Sequence, residues 1–82
     1  SIPQLTMMRQ EIQDGLKRVY NYDVSVHIVA ELCEITDPKW ADAVEVFLGN
    51  RRFNLIVEPR YFDQALQIFN RIKSKYRLYG IK

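Results

Sequence analysis

Between residues 4 and 20 the apolar side chains Leu5, Met8, Ile12, Leu16 and Val19 recur at intervals of three and four. That spacing lays one narrow stripe along a helix. A stripe of this width suits a partner helix or the end of a coiled coil. Gly15 interrupts it, at a position where glycine weakens a helix. Asn21 to Asp23 read as a turn, and over residues 24–35 the period changes to two. Val24, Val26, Ile28, Ala30 and Leu32 alternate with Ser25, His27, Val29, Glu31 and Cys33. Alternation of this kind predicts a strand, and its length predicts a bulge or break near Ala30.

Thr36-Asp37-Pro38 is a helix start: an oxygen to accept orphan amides, then a proline that fits the first turn. A helix is expected over 38–48, with Trp40, Ala41, Val44, Phe47 and Leu48 on one face and Gly49 as its left-handed stop. Phe53 to Glu58 read as a second strand, whose apolar run Leu55-Ile56-Val57 predicts burial on both faces. Pro59 ends it. Residues 60–76 form a further helix with the stripe Phe62, Ala65, Leu66, Phe69, Ile72 and Tyr76, and residues 77–82 a short last strand. The whole predicts an α/β fold: a small mixed or parallel sheet with helices mainly on one face, preceded by a coiled-coil-like helix. Parallel neighbours follow from the strand–helix–strand order.

At 82 residues there is room for one domain only. The net charge of +2 conceals an asymmetry. Residues 1–48 hold four basic and eight acidic side chains, while residues 49–82 hold eight basic and two acidic, so the halves carry −4 and +6. Arg51, Arg52, Arg71, Lys73, Lys75 and Arg77 are the candidate nucleic-acid contacts, weighed against the commoner reading of a solvated helix face. Tyr76 and Tyr79 are the aromatics interleaved with that charge. The chain opens at Ser1 and reads as a segment of a longer protein. No signal-peptide or membrane-spanning pattern is present in it.

The chemistry-bearing residues are few. Cys33 is the lone cysteine, so no internal disulfide forms, and His27 is the lone histidine. Six residues apart on a strand, they would stand about 20 Å apart, out of reach for a nucleophile–base pair. No metal-ligand spacing and no glycine-rich phosphate loop occurs. The expectation is a chain without catalytic residues, metal, cofactor or small-molecule substrate.

Three pieces of the chain together resemble the hinge domain of the SMC family, the long coiled-coil ATPases that organise chromosomes. They are Ala30-Glu31-Leu32-Cys33-Glu34-Ile35, then Asp37 to Gly49 with its aromatic near the start, Ala-Val-Glu in the middle and Leu-Gly at the end, and then Asn54-Leu55-Ile56-Val57-Glu58 followed by a helix with Ala65, Phe69 and Ile72. The resemblance implies a non-catalytic dimerisation module that joins two coiled-coil arms. Residues 1–20 would be the end of such an arm or a lead-in helix, and residues 21–82 a hinge-like α/β domain. SMC hinges usually have two subdomains, and this chain has room for the first. The implied partner is a second copy or an SMC-like protein, with DNA as a weaker one and no membrane. The implied setting is cytoplasmic or nucleoid-associated. Leu5, Met8, Ile12, Leu16 and Val19 are the candidate dimer contacts. The competing reading is a stand-alone α/β module that binds nucleic acid or a regulatory partner through its basic C-terminal portion.

Overall fold

The computed structural model describes residues 3–29, 31, 44–46 and 55–76, with residues 44–46 described by their backbone. Helix α1 spans Pro3–Tyr20. Lys17 and Arg18 lie in its last turn, where cations oppose the helix dipole favourably. Asn21 then takes a left-handed φ of 63°. Its N–H donates to the Lys17 carbonyl at 2.8 Å, closing the helix as an asparagine cap does.

Leu5, Met8, Ile12 and Leu16 are each at most 2% exposed, whereas Val19 is 49% exposed. The four join Val24, Val26, Ile28, Leu55, Val57, Tyr61, Ala65, Ile68 and Ile72 in one core. The stripe that reads as a surface for a partner helix is therefore filled from within the chain. Helix α2 and the sheet cover it, and of the five candidate contacts only Val19 remains at the surface. Burial of four such side chains contributes about 6–12 kcal/mol at about 1.5–3 kcal/mol each. That is comparable with the whole net stability of a typical domain, about 5–15 kcal/mol. On those magnitudes α1 belongs to the folding unit and is not an appendage to it.

The strands are β1 (His27–Ile28), β2 (Val44–Val46) and β3 (Leu55–Val57). Their spatial order is β1-β3-β2, and both ladders are antiparallel. His27 pairs with Ile56 and Ile28 with Leu55 on one side of β3. Val44 pairs with Val57, Glu45 with Ile56 and Val46 with Leu55 on the other. The expected parallel neighbours are replaced because the expected crossover helix is. Val44–Val46 is strand where helix was anticipated over 38–48. Two β-branched residues flanking Glu45 favour that state. Only residues 47–54 then separate β2 from β3, too few for a parallel crossover and enough for an antiparallel return. Trp40, Phe47, Leu48 and Gly49, the cap at Thr36 to Pro38 and the last strand over 77–82 lie outside the described residues.

The alternation over residues 24–28 is as expected: Val24, Val26 and Ile28 are buried, Ser25 is exposed and His27 is half-buried. Among the described residues ladder pairing takes in His27 and Ile28, and Val29 and Glu31 have 3-10 geometry; Ala30 and residues 32–35 of the expected strand lie outside the described residues. In β3, Leu55, Ile56 and Val57 are all buried, as the uninterrupted apolar run implies. Leu55 and Val57 face the core that α1 and α2 fill, while Ile56, on the opposite face, stands outside that cluster.

Pro59–Tyr61 makes a 3-10 turn into α2 (Phe62–Ile72), and Lys73–Lys75 a second 3-10 turn after it. The buried line is Tyr61, Ala65, Ile68 and Ile72. It is rotated from the expected stripe, since Phe62, Phe69 and Tyr76 pack as partly buried residues at the margin of the core. The cause is the close approach of α1 and α2. A Cβ built on Gly15 would lie 2.8 Å from Ile68 Cδ1, so the line that meets α1 is the one carrying Ile68, and the bulky rings are displaced to its borders.

Candidate functional site

Arg9, Glu11 and Gln13, beside the buried stripe of α1, each reach across to another part of the chain. On one flank, the Val26 N–H donates to Gln13 Oε1 at 2.9 Å. The Ile28 N–H donates to Glu31 Oε1 at 3.2 Å. Alternate amides along a strand point the same way, so both of these face away from β3. They form the outer edge of β1, and side chains cover them. Glu31 is itself held by Arg9 Nη1 at 2.5 Å. His27 Nδ1 lies 4.0 Å from the same carboxylate oxygen. Glu31 thus serves two amides' worth of edge together with Gln13, anchored by a guanidinium from α1.

On the other flank, Glu11 receives Lys75 Nζ at 2.6 Å and the Tyr76 hydroxyl at 2.5 Å. The hydrogen bonds from Lys75 and Tyr76 hold the Glu11 carboxyl below the usual carboxylate range. The same bond pushes the Tyr76 hydroxyl up to about 12, because ionising it would set a phenolate against a carboxylate.

A third cluster closes the C-terminal end of α1. The Tyr20 and Tyr61 rings meet edge to face with centroids 4.9 Å apart. The Tyr22 and Tyr61 hydroxyls are 2.9 Å apart, and this bond raises the Tyr22 pKa above its ordinary value. The Arg60 guanidinium lies 5.6 Å from the Tyr61 ring centroid.

The candidate basic contacts divide. Arg71, Lys73 and Lys75 are exposed near the end of α2. Lys75 is engaged by Glu11, and Lys73 Nζ stands 5.7 Å from the Phe69 ring centroid. Arg51, Arg52 and Arg77 lie outside the described residues, as do Cys33 and Tyr79. Tyr76, one of the two aromatics interleaved with that charge, has its hydroxyl committed to Glu11. Among the described residues no group of three or more His, Cys, Asp or Glu side chains could hold a metal ion. Among the same residues no helix is long and apolar enough to cross a membrane.

Arg9, Glu11, Gln13 and Glu31 escape a reading based on apolar spacing. For Arg9, Glu11 and Gln13 the available signal was their place at the borders of the α1 stripe, from which a side chain reaches whatever the stripe packs on; Glu31 carried none.

No curated protein and no solved structure matches the chain. A family model, that of the flexible hinge domain of SMC proteins, matches residues 24–78. The match takes in β1, β2, β3 and α2, the elements that supply the sheet and one of its covering helices. It covers 55 of the 82 residues, and the chain belongs to the SMC flexible hinge domain family.

Proposed function

We propose that the chain is a non-catalytic dimerisation module, the hinge of an SMC-like ATPase that organises chromosomes, working in the cytoplasm or on the nucleoid and joining two coiled-coil arms. The family match carries this reading. The mode of self-association follows from the two sheet edges. The α1 stripe is consumed by the core, and the β1 edge has its amides met by Gln13 and Glu31. That leaves β2, on the far side of β3, as the edge for pairing on this reading. A strand from a second copy added along β2 would meet the kind of backbone groups that make a sheet edge prone to pairing.

The test is sedimentation equilibrium over a wide concentration range, with amide spectra of the labelled chain recorded at the same concentrations. A dimer whose formation shifts the amides of residues 44–46 and leaves Val26 and Ile28 unmoved supports the reading. A chain that stays at 9.8 kDa into the hundred-micromolar range defeats self-association by this chain. Ile12→Glu, attractive if the stripe were a dimer surface, does not discriminate, because it puts a charge into the core of the monomer. The nucleic-acid alternative is weakened at Lys75, whose ammonium is paired with Glu11.

A further inference from the structure

We infer that α1, which precedes the family match, is a rotationally locked lever: it and the α/β body turn as one rigid piece, fixed by polar clasps on both flanks of its buried stripe. The helix geometry carries the argument. Counting about 100° per residue from Ile12, Gln13 lies about 100° to one side of the stripe and Glu11 about 100° to the other. Burial of Ile12 and Leu16 holds α1 down on the body and opposes any roll large enough to expose them, but apolar contact by itself tolerates small turns because it has no preferred direction. Hydrogen bonds supply the direction. On the first flank Gln13 takes the Val26 amide and Arg9 takes Glu31, tying α1 to β1. On the second flank Glu11 takes Lys75 and Tyr76, tying α1 to the turn after α2. A roll in either sense stretches one flank. At the crossing, Gly15 lets Ile68 close against the α1 backbone, which leaves no slack between the helices. Resting on the hinge reading only for what pulls on it, the inference is that torque applied to α1 passes into β1 and α2 and is not absorbed at a joint near Asn21.

The experiment measures residual dipolar couplings of the full labelled chain. In the wild type, the couplings of α1 and those of β1, β3 and α2 fit a single alignment tensor of one magnitude. In a chain carrying Arg9→Gln, Glu11→Gln, Gln13→Ala and Tyr76→Phe, α1 requires its own tensor. Its magnitude falls by roughly a sixth or more, since couplings scale with the square root of a squared order parameter that passes from about 0.85 to below about 0.6. Hydrogen exchange at the β3 amides reports that the body remains folded. If that variant is unfolded, the one-flank variant Glu11→Gln with Tyr76→Phe takes its place, and its α1 tensor reorients toward β1. A wild type whose α1 already needs a separate, reduced tensor overturns the lever. A folded variant that still fits one tensor overturns the clasps. Neither result depends on whether the chain dimerises, so failure here is separable from failure of the hinge reading.

Discussion

Gly15→Ala tests whether α1 and α2 meet as closely as described. In an unobstructed helix the change is favourable by about 1 kcal/mol, because alanine loses less backbone entropy than glycine. Here the new methyl would lie 2.8 Å from Ile68 Cδ1, 3.2 Å from its Cγ1 and 3.3 Å from its Cγ2. Carbon atoms pack best at about 3.5–4.0 Å, so Cδ1 must retreat by about 0.7 Å or more. Ile68 is 3% exposed and has little room for that. Overpacking of this kind costs about 1–3 kcal/mol. Set against the propensity gain, the variant comes out about 0–2 kcal/mol less stable. Ile68→Val removes Cδ1 and costs about 0.5–1.5 kcal/mol alone. In that background most of the clash is gone, and Gly15→Ala turns neutral or stabilising by up to about 1 kcal/mol. The pair therefore couples favourably by about 1–2 kcal/mol, a size expected for residues in contact. Urea melts followed by far-UV circular dichroism, on the four members of the cycle with a common slope, give the number. If Gly15→Ala stabilises both backgrounds equally, the helices do not approach at Gly15 and the reasoning fails.

Leu16→Ala leaves a cavity beneath α1 and should cost about 2–5 kcal/mol in the same melts, while a cost under about 1 kcal/mol would mean that the helix lies loosely on the body. Asn21→Gly should be neutral within a few tenths of a kcal/mol and Asn21→Val should cost about 1–2 kcal/mol, since only the former accepts the left-handed φ; equal melting midpoints would contradict that geometry. In a spectrophotometric titration one of the five tyrosines should ionise near 12 and should return toward 10 in Glu11→Gln. Because the folded value is the higher one, the Tyr76–Glu11 contribution to stability is complete below pH 10 and disappears as the pH rises to about 12. The Glu11 carboxylate acts in the opposite sense: its value is lowered, so its contribution is present above 4.5 and is lost as the pH falls below that.

The elements easiest to read in the sequence were those whose pattern comes from one uniform environment. The α1 stripe and the Leu55-Ile56-Val57 run have the period of their element and a core on the expected side. The partner of the α1 stripe was not legible, because apolar spacing states that a face is covered and not by which chain. Val44 to Val46 shows the opposite difficulty. A segment with alanine, valine and phenylalanine at helical spacing also carries a β-branched alternation, and a neighbouring strand decided between them. In α2 only Ala65 and Ile72 of the expected stripe lie on the true buried line, with Tyr61 and Ile68 in place of Phe62, Leu66, Phe69 and Tyr76, and the turn toward Ile68 answers to Gly15 some fifty positions away. The clasps at Glu11 and Gln13 were invisible for a related reason. A polar side chain beside an apolar stripe looks the same whether it meets water or a backbone amide.

The covered edge of β1 has a consequence for assembly size. A sheet with two bare edges can add a copy at each and has no reason to stop, and the product is an open filament. With Gln13 and Glu31 occupying the Val26 and Ile28 amides, the self-association proposed above is left to the β2 side. Two copies meeting there through the same patch use it up in a single two-fold contact, and the assembly terminates at two. On this view the residues that shut β1 act as a stop on stoichiometry, and Gln13→Ala combined with Glu31→Ala should open a route to higher, unclosed species.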